Sequence, residues 1–119
     1  MNPALRTLKD TIRKNMRQKL ATLSPEEISR QSVIVTDKLL AMPVFKESQN
    51  VSVYISMHGE ICTRDIIRIL LDQKKSCYVP RCKGKDMDMV KIDSWEDFLA
   101  LPKNNWNIPE PRFDEVREN

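Results

Sequence analysis

Glycine is nearly absent: the 119 residues contain two, Gly59 and Gly84. Loops that wrap phosphate groups need several, because backbone amides must approach the anion closely and some positions require positive φ. Neither a G-x-x-x-x-G-K-S/T loop nor a G-x-G-x-x-G turn can be written in this stretch, which excludes a phosphate cradle of either kind. No apolar run approaches the ~20 residues that a bilayer demands, so a membrane-spanning helix is excluded too. The three cysteines, Cys62, Cys77 and Cys82, are odd in number and lack the C-x-x-C spacing of zinc and dithiol sites. They read as reduced, structural thiols of a cytosolic protein. Charge of one sign is also missing: 20 basic against 17 acidic side chains leave +3. That is too near balance for a surface that coats nucleic acid or an anionic membrane, so any basic feature is local.

What remains is a chain of ordinary composition, 40% hydrophobic and 31% charged. Its length suits one domain, and a chain of this size hides roughly two thirds of its unfolded surface on folding. Leu5, Leu8, Ile12, Met16, Leu20 and Leu23 recur at steps of three and four. This spacing predicts one amphipathic helix from about residue 4 to 23. Arg6, Lys9, Arg13 and Arg17 form a second stripe at the border of the apolar one, where they could reach into a neighbouring cleft. The same stripe can equally be a solvated face, or the helix a mitochondrial presequence, although Asp10 and the direct run into the next helix weaken the last reading.

"SPEE", residues 24–27, starts a second helix: Ser24 caps, Pro25 suits the first turn, and Glu27 can return a bond to the cap amide. It is predicted to run to about Ala41 with Ile28, Val35 and Leu39 inward, to stop at Pro43, and to lead into a polar connection, "VFKESQN". "VSVYIS" (51–56) and "SCYVP" (76–80) read as buried strands around a helix of about Thr63 to Gln73 capped by Thr63. Strand, helix and strand with short links make a βαβ unit, hence parallel strands. After a turn at "KGKD", "MDMVKI" reads as a further strand, "SWEDF" as a short helix capped by Ser94, and "LPKNNWNIPEP" as an irregular loop.

In such a unit Met57 to Glu60 lies at the carboxyl end of a parallel strand, the rim where open α/β sheets bind ligands, and Pro80, Arg81 and Cys82 reach the same rim. Glu60 is then either a ligand acceptor or a first-turn carboxylate favouring the following helix dipole. Trp106 is a candidate stacking surface, since an indole in a proline-bounded loop is seldom needed for packing alone. His58 reads as a surface loop residue.

Four stretches, "LKDTIRKNMRQKLATLSPEE", "VYISMHGEICTRDII", "CYVPRCKGKDMDMVKI" and "LPKNNWNIPEP", resemble in their order the 5-formyltetrahydrofolate cyclo-ligases, also called methenyltetrahydrofolate synthetases. The resemblance implies an α/β fold with an open, mostly parallel sheet and flanking helices. Residues 4–41 would form the helical pair, and residues 51–111 the βαβ core and irregular loop. It implies a cytoplasmic, monomeric enzyme that uses ATP and magnesium to convert 5-formyltetrahydrofolate to 5,10-methenyltetrahydrofolate through a phosphorylated formyl group. Carried over by position, ATP contacts fall on Lys9, Asp10, Thr11, Ile12 and Arg13, with Lys9 and Arg13 as phosphate cations. Substrate contacts fall on Ile55, Glu60, Met57 and Trp106. No catalytic residue or metal ligand is implied within the chain, and Cys82 stands where some relatives carry an aromatic residue.

The resemblance also implies that residues 1–119 are only the N-terminal part of such a protein. The C-terminal strands, a glycine- and basic-rich loop that grips the triphosphate, and the acidic magnesium ligands would lie beyond Asn119. The expectation is therefore an incomplete fold, a truncated isoform or fragment, unstable and with little or no activity alone. A non-catalytic module that binds protein or RNA through the basic helix is the alternative reading.

Overall fold

The computed structural model describes residues 2–119. Helix α1 (Pro3–Ala21) opens on Asn2, whose side chain accepts the amides of Ala4 and Leu5, and its first residue is proline, which has no amide to leave unpaired. Helix α2 (Pro25–Ala41) follows on the predicted Ser24 cap, with the Glu27 amide donating to Oγ at 3.1 Å. Glu27 does not return the bond. Its carboxylate takes Arg30 and Gln31 instead, one helical turn on. The connection expected at "VFKESQN" is a short helix, α3 (Pro43–Glu47), because Pro43 pre-sets the φ of a first helical turn as readily as it ends the preceding helix.

Strand β1 (Asn50–Ser52) lies parallel to β2 (Ser76–Lys83), joined by helix α4 (Arg64–Asp72), which is the predicted βαβ unit. Strand β3 (Asp86–Ile92) pairs antiparallel to β2, so the three-stranded sheet is mixed, in the order β1-β2-β3. The two-residue hairpin between β2 and β3 starts at Gly84, whose φ of 59° a side chain would disfavour. Helix α5 (Trp95–Leu99) is capped by Ser94 as expected. The fold is thus α/β, a sheet with flanking helices. Ile67, Leu70, Cys77, Val79 and Ile92 form the centre of the core, closed by Phe45, Phe98 and Leu101. Burial pushes the Cys77 thiol up to about 11, which leaves it an inert packing group.

Three local expectations are corrected. Strand β1 ends at Ser52 rather than residue 56, although the chain runs on in line, with the Val53 amide on the Tyr78 carbonyl at 2.9 Å. Thr63 makes no cap bond to α4. Its buried hydroxyl donates to the Tyr54 carbonyl at 2.7 Å and accepts the Ser56 amide at 3.0 Å, which completes the strand's extension by side chain where no further strand partner stands. Val35 is exposed, and the face that α2 buries carries Ser32 and Thr36, small enough for close approach of the loop behind them. Ser32 Oγ accepts the Cys62 amide at 2.9 Å. No described helix is long and apolar enough to cross a membrane.

The apolar stripe of α1 is not used as its period predicts. Leu5, Leu8, Ile12, Met16 and Leu20 are 42–56% exposed, and α1 buries no residue. The hydrogen bonds of its side chains stay within the helix and its end.

Candidate functional site

The chain leaves the parallel strand through a tight turn, Met57 to Glu60, closed by the Glu60 amide on the Met57 carbonyl at 3.1 Å. Its third residue, Gly59, has φ 92°, the positive value that such a turn demands there. Glu60 reaches back across this turn, and its Oε1 accepts the Met57 amide at 2.6 Å. One carboxylate oxygen therefore fixes the loop. The bond holds the side chain at the rim of the sheet rather than over the first turn of α4.

From β2, Pro80 and Cys82 face the same rim. Arg81 between them faces the other way, because side chains alternate along a strand. Its guanidinium pairs with Asp88 at 3.0 Å and donates to the carbonyls of Arg112 and Glu115. The expected meeting of Arg81 with Glu60 is not made.

The third wall is the loop after α5. Lys103 and Pro109 form a bridge, and inside it the Asn104 side-chain oxygen accepts the amides of Trp106 (2.9 Å) and Ile108 (3.1 Å). Asn107, at φ 61°, lets the chain turn back, a conformation Asn adopts more readily than most residues. Trp106 is thereby presented with 70% of its surface exposed. Glu110 closes the wall, its Oε2 accepting the Cys82 amide at 3.2 Å.

These walls enclose a rim cavity of about 310 Å³, lined by Ile55, Met57 and Glu60 together with Tyr54, Cys82, Trp106 and Glu110. All four residues expected to touch substrate, Ile55, Met57, Glu60 and Trp106, are brought together here. The surroundings are apolar, and among the described residues the charged groups on the lining are two carboxylates, Glu60 and Glu110. Tyr54 donates its phenol to the Ile61 carbonyl at 3.0 Å, and burial, reinforced by the Glu60 charge, raises its pKa. Sequence reasoning missed Tyr54, Asn104 and Glu110. For Glu110 a signal existed in "IPEP", where two prolines hold an acidic residue in fixed backbone.

The residues expected to touch ATP are placed elsewhere. Lys9, Asp10, Thr11, Ile12 and Arg13 lie on α1, and no residue of α1 lines the rim cavity. Arg13 is exposed and, among the described residues, its one ion-pair partner is Asp10, at 3.4 Å. The basic stripe and Glu60 therefore do not share a pocket in this chain. For magnesium the fit fails as well: among the described residues no group of three or more His, Cys, Asp or Glu side chains could hold a metal ion.

The chain is thus an α/β protein whose βαβ core carries at its rim an apolar slot lined by two carboxylates and an exposed indole. Residues 6–119 match the model of the 5-formyltetrahydrofolate cyclo-ligase family, and the chain belongs to that family. It is 38% identical over 109 residues to the mouse 5-formyltetrahydrofolate cyclo-ligase, covering 90% of this chain and 54% of the mouse protein. The solution structure of Aquifex aeolicus 5,10-methenyltetrahydrofolate synthetase superimposes with a TM-score of 0.77 at 28% identity, over 94% of this chain and 55% of that one. The chain thus spans about half the length of the relatives it matches.

Proposed function

We propose that the chain binds a reduced folate, 5-formyltetrahydrofolate, with its bicyclic ring in the rim cavity. In this reading it serves the ATP-dependent closure of that folate to 5,10-methenyltetrahydrofolate. The observation that carries the reading is the joint presence of Glu60 and Trp106 on one apolar cavity in a member of this family. The 2-amino-4-oxo ring offers adjacent N–H donors, which a carboxylate accepts with charge-assisted bonds, and it offers a flat face, which an indole covers. Glu60 holds the ring's donor edge. Ile55 and Met57 exclude water from its faces.

In the reaction proposed, the formyl oxygen takes a phosphoryl group from ATP, the neighbouring amine nitrogen attacks the activated carbon, and phosphate leaves. An amide-like oxygen is a poor leaving group until it carries phosphate, and cations are what stabilise phosphoryl transfer. Lys9 and Arg13 are the proposed phosphate cations, with Asp10, Thr11 and Ile12 beside them. Turnover by these residues alone is expected to be low, since they offer neither a magnesium donor set nor an enclosed phosphate site. A cytoplasmic monomer is part of the proposal, in keeping with three free thiols. A protein- or RNA-binding role finds no support in the relatives.

Calorimetric titration of the chain with 5-formyltetrahydrofolate tests the reading. Saturable one-to-one binding, weakened by Glu60→Gln and Trp106→Ala, is expected. Heats no larger than dilution up to millimolar ligand would remove it. Adding ATP and magnesium and following methenyl product by its absorbance measures what turnover there is.

A further inference from the structure

The turn that carries Glu60 has little packing to hold it. Met57, His58, Glu60 and Cys62 are exposed. Met57 and Glu60 line both the rim cavity and an open groove of about 670 Å³ between α2 and α4, so the turn stands between two spaces rather than against the core. A segment with so few buried apolar contacts is held by its hydrogen bonds. At its base, Ser56 and Thr63 exchange amide-to-hydroxyl bonds, each 3.0 Å. Inside it, Glu60 and Met57 bond each other, and the Tyr54 phenol donates to the Ile61 carbonyl. All of these join residues 54–63 to one another and move with the turn.

One bond comes from another element. The Cys62 amide donates to Ser32 Oγ on α2 at 2.9 Å, across 30 residues of chain. Among the described residues it is the only hydrogen bond that ties residues 57–62 to a part of the fold outside 54–63. We infer that Ser32 is a positioning residue for Glu60: by holding the Cys62 amide it fixes where the Glu60 carboxylate stands on the rim cavity. The inference rests on the folate reading above, and it adds a residue outside the cavity on which affinity for the folate depends.

The Ser32 hydroxyl suits this role. It is buried, and its proton is committed to the Ile28 carbonyl at 2.7 Å, so toward the turn the oxygen is an acceptor alone, and a backbone amide is what it meets. Helix α2 runs 17 residues from the Ser24 cap, so the acceptor is presented from a rigid element and the turn takes its place from that element. Cys62 is exposed, and its amide can turn to water when the acceptor is removed. What is lost is then the position of the turn more than the stability of the fold. Thr36, one helical turn on and also buried, makes no hydrogen bond to the turn among the described residues, which sets the two hydroxyls apart.

Calorimetric titration of the full chain with 5-formyltetrahydrofolate, together with amide hydrogen exchange, tests this. Ser32→Ala is expected to weaken binding about threefold to tenfold, the range of one lost hydrogen bond. Ser32→Thr, whose hydroxyl can keep both bonds, should bind within about twofold of the unaltered chain. Thr36→Ala should leave affinity unchanged. In a Glu60→Gln background, Ser32→Ala should cost less than about twofold more, because the carboxylate through which it acts is gone. Exchange in Ser32→Ala should quicken at the Met57 and Cys62 amides but not at the buried Val79 and Val90, which a general loss of stability would quicken as well. Thermal melts check the fold of each variant, and Ser32→Cys, similar in size with a weaker acceptor, carries the same test should the alanine variant unfold. The inference is overturned if Ser32→Ala binds as tightly as the unaltered chain, if Ser32→Thr loses as much as Ser32→Ala, or if the losses from Ser32→Ala and Glu60→Gln simply add. If instead Glu60→Gln leaves affinity unaltered, or the unaltered chain does not bind the folate, the folate reading itself fails and this inference falls with it.

Discussion

Arg117 grips Asp97 with two bonds, one to each carboxylate oxygen, 2.7 and 2.8 Å long, and with the same guanidinium donates to the Lys91 carbonyl. The side chain of Arg117 is 9% exposed, so this clasp ties residues near the chain's last turn to α5 and β3 out of reach of most water. The bonds from Arg117 hold the Asp97 carboxyl below its ordinary value, against the opposing effect of burial. A lowered carboxyl contributes stability above its unfolded pKa of about 4, and that contribution is lost as pH falls through the lower folded value. Asp97→Asn is therefore expected to cost about 1–3 kcal/mol at neutral pH in urea unfolding. The loss should shrink toward zero in acid, where the unaltered chain has lost the same contribution.

Thr63 is expected to behave as a structural pin rather than a helix cap. Thr63→Val keeps the shape but leaves the Ser56 amide and Tyr54 carbonyl without their partner, at a cost of about 1–3 kcal/mol. Thr63→Ser keeps the hydroxyl and should lose clearly less. Amide hydrogen exchange of the pair separates the two roles: a pin exposes the Ser56 amide in the valine variant, whereas a cap would expose the first amides of α4.

Glu60→Gln retains a carbonyl oxygen for the Met57 amide, so the turn should survive and the melting temperature move little. Affinity for 5-formyltetrahydrofolate should fall about tenfold, as expected for a lost charge-assisted bond. A variant that binds as tightly as the unaltered chain would return Glu60 to the bland role of loop staple.

Asn104→Ala removes one oxygen that serves two amides, while Asn104→Asp keeps it. In a Trp95→Phe background, Trp106 is the remaining indole, and its fluorescence anisotropy reports on the loop. The alanine variant should lower that anisotropy and cost about 1 kcal/mol, whereas the aspartate variant should match the unaltered chain.

Arg13→Ala and Lys9→Ala test the ATP proposal cleanly. The Arg13–Asp10 pair is exposed and long, so stability should change by no more than about 0.5 kcal/mol. Affinity for ATP should drop severalfold in each variant, measured by equilibrium dialysis. Unchanged affinity would make the stripe a solvated face.

The βαβ unit was legible because its elements carry local signals: short apolar, β-favouring runs in 51–56 and 76–80, and a repeat of three and four in 64–72. The caps at Ser24 and Ser94 were legible because a cap is a bond between residues three apart. Thr63 has the same local signature, and it failed there because a buried hydroxyl also had the Tyr54 carbonyl within reach, nine residues back. Val35 failed for a related reason. Period alone does not say which of two apolar arcs on a helix meets the body, and the small residues Ser32 and Thr36 took that place.

By itself the sequence determined the α/β class, the turn between β2 and β3, the caps at Ser24 and Ser94 and the family, since each rests on neighbours along the chain. Only the tertiary structure decided that Glu60 and Trp106 share a cavity, that Glu110 joins them, and that Arg81 and the basic stripe of α1 stand apart. Those facts depend on which way a strand alternates and where a helix docks. Both are fixed by packing between segments far apart in the chain, which no local pattern records.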